Sequence, residues 1–522
     1  MKKVILFLSL ITIVSLTNAV TAQEINSSEI DVLVNRALAS TPSVGIAVAV
    51  VKDGKIIHSK GYGVKSIKNK EKVDENTLFA IASNSKAFTA ATLAILVDEG
   101  KLKWEDKVIT YIPEFKMYNN YVTANFTILD LLTHRSGLGL GAGDLMIFPD
   151  GSNFTIKDVV NSFQYQKPVS AFRTKYDYDN LLYIVAGEVV ARVSGMPWTD
   201  FVQSRIFNPL GMKNSAPISS KLAKNANLAF PHDSEGEKIK QLATYHNDLV
   251  AAAGGIYASV HDLTQWMLVQ LNNGKYGKEL SNELFSEKQQ KQMWKPHTNL
   301  GFSTKPNPRT QQHFAAYGLG WFIADKQGKI VISHTGGLPG MLSKTVLVPE
   351  LNLGIVVLTN SLPGGKAYSA IPETILDSYL KIEKRDWVKI LADQAKATGQ
   401  KSDSVTTKVW KTVEKNKSVS INLNNYLGTY KDDWFGEVVI SLKNGKLWFT
   451  SKRSPKLNGQ MFYYKATTFA IKWEYTDMNA DAFATFNLDE EGKAMGIKMK
   501  GISPNIDFSF DFQDLNLKRV EK

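Results

Sequence analysis

The stretch Ala82–Glu99 constrains the fold more than any other part of the chain. It is rich in Ala, Leu, Ile and Thr, stops at Gly100, and is apolar on almost every side. A helix with one apolar stripe lies on a surface, whereas a helix apolar all round has to be surrounded by protein. This one is therefore expected in the middle of a domain. Asn180–Val193, closed by Ser194-Gly195, is a second helix of the same kind. Strand signals flank the two. Gly45–Gly63 reads as a hairpin, in which Ile46–Val51 meets the turn signal Asp53-Gly54 and returns through Ile56-Ile57. Four more strands are expected at Gly320–Ala324, Ile330–Ser333, Lys344–Val348 and Leu353–Leu358. Strands at both ends with helices between them predict an α+β domain built on an antiparallel sheet.

At about 100–200 residues per domain, 522 residues predict more than one domain. From Lys381 to Lys417 the texture shifts to Lys, Asp, Ser, Thr and Gln. That predicts a charged helix or two and a linker crossed by few core contacts. Beyond Leu423 the pattern is all-β. Val438–Leu442 and Lys446–Thr450 flank the hairpin signal Asn444-Gly445, and further runs follow at Phe462–Lys465, Phe469–Glu474, Ala482–Asn487, Ala494–Lys500 and Ile506–Phe512. These short strands predict a small antiparallel barrel or sandwich. The expected division is a segment 1–22, a first domain over 23–380, a charged linker over 381–421 and a separable all-β domain over 422–522.

The segment 1–22 has its own signature. Met1-Lys2-Lys3 precedes an apolar run from Val4 to Leu16 and a polar patch ending Val20-Thr21-Ala22. This is the pattern of a secretory signal peptide cut after Ala22, which predicts a secreted or periplasmic protein. The run is shorter than the ~18–20 apolar residues a membrane span needs, and no later segment reaches that length. The chain has no cysteine, which excludes a disulfide scaffold, a thiol nucleophile and Cys-ligated zinc. The net charge is +12, but the lysines are scattered with no run of five basic residues, so no nucleic-acid partner is expected.

Motifs for nucleotides, dinucleotides and zinc proteases are missing, and the eight histidines show no metal-ligand spacing. Neither metal nor cofactor is expected. Three elements remain. In Ser83-Asn84-Ser85-Lys86, serine and lysine three apart on a helix share one face. A serine hydroxyl needs a base, and a lysine can be that base if burial lowers its pKa from ~10.4. At the first turn of an apolar helix, free N–H groups could also bind an oxyanion. The pattern recurs at Ser378-Tyr379-Leu380-Lys381, at the edge of the charged stretch, where a solvated pair is expected. The second element is Tyr178-Asp179-Asn180. A tyrosine beside a cationic lysine is expected to lose its proton more easily than usual and relay it, while Asn180 could grip a substrate or simply cap the helix. Tyr118-Asn119-Asn120 and Tyr245-His246-Asn247 match the same pattern. The third is His334-Thr335-Gly336-Gly337 at the end of an expected strand, where glycines permit close approach or merely end the strand.

In this order and spacing the three elements resemble the penicillin-recognising serine hydrolases, a superfamily of class C β-lactamases, penicillin-binding proteins, D-aminopeptidases and esterases. Leu131–Leu138, Ala253–Ser259 and His334–Gly340 extend the resemblance, which covers about residues 28–380. The helix at Leu181–Gly195 is similar to the one that follows Tyr-x-Asn in the family, which selects Tyr178. The resemblance implies an antiparallel sheet packed by helices, a helical lobe, and the nucleophile helix between them. It implies Ser83 as nucleophile and Lys86 and Tyr178 as the acid–base pair. The backbone N–H groups of Ser83 and Gly337 would form the oxyanion hole, and Asn180, His334, Thr335 and Gly336 would hold substrate. Class C β-lactamases have lysine where this chain has His334. A histidine above its ~6.5 reference pKa lacks the fixed charge that would meet a β-lactam carboxylate. The tail resembles the lipocalin-like accessory domain of some members. The expected protein is thus an exported serine hydrolase of small amides, esters or D-residue peptides. A β-lactamase or D,D-carboxypeptidase and a non-catalytic envelope-binding protein are the alternatives.

Overall fold

A computed structural model describes residues 24–235 and 238–520 of the chain, so the expected signal peptide lies outside the described residues. The elements that position the site are helices α1 (Ser27–Ser40), α2 (Ser85–Asp98), α3 (Leu181–Ser194), α4 (Val260–Leu271), α5 (Ala367–Tyr379) and α6 (Trp387–Lys415). The strands of the first sheet are β1 (Gly45–Lys52), β2 (Lys55–Gly63), β3 (Thr298–Phe302), β4 (Phe314–Tyr317), β5 (Phe322–Lys326), β6 (Lys329–Leu338), β7 (Met341–Val348) and β8 (Leu353–Thr359). They form one antiparallel sheet in the order β2-β1-β8-β7-β6-β5-β4-β3, which brings the two ends of the domain together at β1 and β8. The expected turn at Asp53-Gly54 has both residues at positive φ, 50° and 75°, as a type I′ hairpin requires.

Strand β1 explains why its sequence is apolar without alternation. Ile46, Val48 and Val50 face one cluster, with α1 and α5, while Ala47, Ala49 and Val51 face the other, with α2 and α4. Successive side chains point to opposite faces, and both faces are covered. Helix α2 is the expected central helix. Every residue from Ile81 to Leu96 is buried except Ser83. Gly320 shows why the next strand starts late, at Phe322 rather than Gly320. It sits at φ 76° against α2, and a Cβ there would lie 2.7 Å from the Lys86 carbonyl oxygen.

The tail closes into an eight-stranded up-and-down barrel. Its strands are β9 (Gly428–Asp432), β10 (Gly436–Lys443), β11 (Lys446–Ser451), β12 (Asn458–Lys465), β13 (Thr468–Trp473), β14 (Ala482–Leu488), β15 (Ala494–Gly501) and β16 (Leu517–Arg519), with β16 pairing β9. Asn444-Gly445 makes the expected hairpin, at φ 51° and 71°. The expected strand Ile506–Phe512 is a correction. Ser509 N–H and Phe510 N–H turn back onto Asp507, and a 3₁₀ turn follows at Phe512–Asp514. Short acidic side chains that bond the local backbone compete with a strand ladder. Strands β9 and β16, too short and polar to stand out, were not foreseen.

The charged stretch, expected as a charged helix or two and a linker, packs against the barrel. It holds one 29-residue helix, α6, whose Val409 and Val413 pack on barrel residues Ala470 and Ile502. The barrel interior and the helical lobe belong to one continuous apolar cluster. Phe154 meets Phe435 at 5.9 Å between ring centres, Arg453 stacks on Phe154 and grips Asp158 through two 2.8 Å bonds, and Lys456 pairs with Asp150 at 2.7 Å. Arg453 holds the Asp158 carboxyl below the usual carboxylate range.

Candidate active site

Ser83 lies in a 3₁₀ turn, Ala82–Asn84, just ahead of α2 rather than inside its first turn. Ala82 before it has φ 48°, an unusual backbone for a residue with a Cβ, and this bend presents Ser83 to solvent. Strand β6 crosses directly above. A Cβ on Gly336 would lie 2.1 Å from the Ile81 carbonyl oxygen and 3.0 Å from the Ser83 nitrogen, so only glycine lets the strand approach this closely. Burial alternates along β6: His334 and Gly336 are buried, Thr335 and Gly337 exposed. The strand turns into β7 through Pro339-Gly340, a two-residue loop flanked by the pair Leu338–Met341. Alternate pairs in an antiparallel ladder point opposite ways, so the Gly337 N–H faces away from β7.

Lys86 is the most constrained side chain in the region. Its Nζ lies 2.7 Å from Asn180 Oδ1, 2.8 Å from the Ala253 carbonyl oxygen and 3.1 Å from Ser83 Oγ. It is fully buried, and desolvation pushes its pKa down to about 7 against the opposing pull of Asp144 and Asp179. Asn180 stands at the N-cap position of α3 but makes no capping bond with its side chain. That bond comes from Asp179, whose carboxyl accepts Leu182 N–H at 3.2 Å. The Asn180 amide is left to bridge Lys86 and a buried carboxyl, donating to Asp144 Oδ2 at 2.7 Å. Burial raises Asp144 well above the carboxylate range and Asp179 to about 7.

Tyr178 places its hydroxyl against Ser83 and its ring 4.8 Å from Lys86 Nζ. The expectation of a lowered tyrosine pKa is corrected. Burial outweighs every other influence and pushes Tyr178 well above its ordinary value, so it stays a proton donor. The other two Tyr-x-Asn tyrosines donate to main-chain carbonyls, Tyr118 to Ser136 and Tyr245 to Ile147, and are not joined to the Ser83–Lys86 pair. His334 is buried with Nε2 2.9 Å from the Tyr317 hydroxyl, and desolvation pushes it down to about 3, so it is neutral. His134, unassigned from sequence beyond its motif, accepts Asp179 N–H at 3.1 Å and lies 4.2 Å ring to ring from Tyr178.

The structure therefore gathers Ser83, Tyr178, Asn180, His334, Thr335 and Gly337 at one cleft of about 780 Å³, with Lys86 buried against Ser83 and Gly336 close-packed beneath the strand. The far wall was not foreseen. It comes from the barrel: Tyr475, Asp477, Met478, Asn505, Asp507 and Phe508–Phe510. Four aspartates line the cleft, Asp150, Asp233, Asp477 and Asp507, and no lysine or arginine does among the described residues. Nothing in the local sequence marks Asp144 or the barrel segment, because their neighbours in the site are distant in the chain.

Residues 30–379 match a family model described as Beta-lactamase, and residues 413–519 match one described as a domain of unknown function. Among relatives, the chain is 26% identical over 436 residues to the unguisins hydrolase ungD of Aspergillus violaceofuscus, covering 78% of this chain and 75% of that protein. It is 27% identical over 342 residues to Protein flp of Staphylococcus aureus, covering 64% and 63%. Among solved structures, the octameric penicillin-binding protein homologue from Pyrococcus abyssi superposes with a TM-score of 0.59 at 16% identity, covering 94% of this chain and all of that one. That likeness bears on the fold.

Proposed function

Because the chain belongs to the Beta-lactamase family, we propose that it is an exported serine hydrolase that cleaves small amides or esters, D-residue peptides among them, through an acyl-enzyme on Ser83. The observation that supports this reading is the placement of Lys86. Two carbonyl oxygens, of Asn180 and Ala253, each take one of its protons. Once Lys86 is neutral, its lone pair is left for the third neighbour, the Ser83 hydroxyl at 3.1 Å. With a pKa near 7 that state is well populated at neutral pH. Lys86 then takes the Ser83 proton as Oγ attacks the substrate carbonyl carbon. Tyr178, held protonated against Ser83, passes a proton to the leaving group. The N–H groups of Ser83 and Gly337 receive the developing oxyanion. Water then cleaves the acyl ester by the reverse relay.

Cleft charge narrows the substrate. A carboxylate-bearing β-lactam or D,D-peptide would meet a neutral His334 and a cleft lined by aspartates, of which Asp150 and Asp477 are paired with Lys456 and Lys240. With no lining cation among the described residues to receive a carboxylate, neutral or cationic acyl donors are favoured. The hydrolase name of the Aspergillus relative supports the reaction type. The decisive assay is a panel of p-nitrophenyl esters, D- and L-aminoacyl p-nitroanilides and nitrocefin on wild type and Ser83→Ala. Turnover of esters or D-aminoacyl substrates, lost in the variant, is expected to exceed nitrocefin turnover. Activity that persists in Ser83→Ala would overturn the assignment.

A further inference from the structure

We propose that Asp511 and Ser509, both from the C-terminal barrel, are positioning residues for the lysine base, so that the catalytic machinery is completed across the boundary between the two parts of the chain. The inference rests on the reading of Lys86 given above.

The connection runs through three links. Asp511 is fully buried, and its two carboxyl oxygens accept the N–H groups of Gly143 and Leu145, each at 2.8 Å. Those two residues flank Asp144, so the bonds fix the turn that aims the Asp144 side chain. Asp144 in turn accepts the Asn180 amide at 2.7 Å, and Asn180 Oδ1 takes a proton of Lys86 at 2.7 Å. Ser509 lies near enough to the same Asp144 carboxyl to favour its charged form. A second arm reaches the tyrosine. Phe508 sets its ring edge-on to Tyr178 at 5.9 Å, and its backbone presses on Gly141, whose N–H donates to the Tyr178 carbonyl at 2.8 Å. A Cβ on Gly141 would lie 2.8 Å from Phe508 O, so the two chains meet without slack. The segment is anchored at its other end, where Phe512 is buried and stacked on Trp473 within the barrel. Residues 508–511 thus span from a rigid barrel to both proton-transfer side chains.

The positioning role differs from a merely structural one in what it does to Lys86. The charged and titratable groups around this lysine are Asp144, Asp179, Tyr178, Tyr183, His134 and His334, with Asp511 and then Asp514 of the barrel behind Asp144. Burial pushes the Asp511 carboxyl well above the usual carboxylate range, so it acts through its two hydrogen bonds rather than as a charge. Losing one of them loosens the turn that carries Asp144 and the packing that keeps water from Lys86, which favours the ammonium form of Lys86.

The test is made on the full chain with a p-nitrophenyl ester, with rates expressed per active site titrated by a fluorophosphonate. In Asp511→Asn, kcat is expected to fall at least about tenfold, the scale of a misplaced catalytic group. KM is expected to stay within about threefold, and the acidic limb of kcat/KM to move up by about one pH unit. Ser509→Ala leaves the two backbone bonds intact and withdraws a group that favours the Asp144 carboxylate, so the limb is expected to move slightly down, the opposite way. It serves as the test if Asp511→Asn does not fold. Wild-type kcat per titrated site with an unmoved limb in Ser509→Ala and in any folded Asp511→Asn overturns the proposal. Lys86→Ala, run alongside, separates the two readings. If Lys86→Ala keeps wild-type turnover, the lysine reading fails; if it is inactive while the barrel variants behave as wild type, only the barrel's role fails.

Discussion

Ser83-Asn84-Ser85-Lys86 and Ser378-Tyr379-Leu380-Lys381 spell the same four-residue pattern, and the fold makes them chemically unlike. The first sits where α2 enters the middle of the domain, with Lys86 fully buried and fixed by two carbonyl oxygens. The second ends α5 at the surface. The Ser378 hydroxyl accepts the Ile25 N–H at 2.7 Å, which ties down the start of α1, and Lys381 is exposed at φ 54° just past the helix. Spacing brings serine and lysine together only in the first, since the helix ends before Lys381. Only the first places the amine where water cannot solvate it, and desolvation turns a permanent cation into a base. A Ser-x-x-Lys motif is thus a statement about spacing, and its chemistry comes from what surrounds it.

The largest expected difference between the two sites is at the serines. Ser83→Ala should lower ester turnover by at least about 10⁴-fold, as removal of a catalytic nucleophile does. Ser378→Ala should leave kcat within about twofold and cost about 1 kcal/mol of stability, the net worth of one hydrogen bond. A fluorophosphonate should add its mass to the peptide containing Ser83 and not to the one containing Ser378. Equal labelling of both would erase the contrast.

The lysines come next. Lys86→Ala and Tyr178→Phe should each lower kcat by roughly 10²–10⁴-fold, while Lys381→Ala should be neutral. The two losses should not add in the double variant, because the groups act as one unit. Wild-type kcat/KM should rise with pH through about 7, since the depressed lysine must lose its proton to act as a base. A limb near the ordinary lysine value would mean that burial does not lower Lys86, and the two motifs would differ in position alone.

The smallest expected effect concerns the neighbouring strand. His334→Lys would add a cation to the cleft lining, which has no lysine or arginine among the described residues, at the cost of the Tyr317 bond. The ratio of nitrocefin to ester turnover should rise by about threefold to tenfold, because much of the charge's worth is lost to desolvation. An unchanged ratio would show that charge at this strand does not select the substrate.

Much of this was legible in the chain. The apolar run of α2 announces burial on every side, and that same run supplies the low-polarity wall around Lys86. Asn444-Gly445 and Asp53-Gly54 announce their hairpins because positive φ at two successive positions needs such residues. His334 and Gly336 fall on one face of β6 by simple alternation. Other features had no local signal. Ile506–Phe512 has a strand's apolar content, yet its backbone follows Asp507 and its carboxyl at Asp511 serves the opposite domain. The charged stretch reads as a linker because it is poor in apolar residues; within it Val409 and Val413 meet the barrel, while contacts such as Arg453 with Asp158 lie outside it.

The sequence by itself determined the periodicities, the turns, the serine–lysine spacing and the absence of thiol chemistry, since each depends on residues a few positions apart. Tertiary structure alone decided which of the two Ser-x-x-Lys patterns has its lysine pushed down to about 7, that Tyr178 keeps its proton, and that the barrel lines the cleft. Those outcomes depend on burial and on fields summed over Lys86, Asp144, Asp179, Asn180 and Asp511, which the fold gathers from positions up to hundreds of residues apart. Desolvation has no sequence range, so no local pattern could encode it.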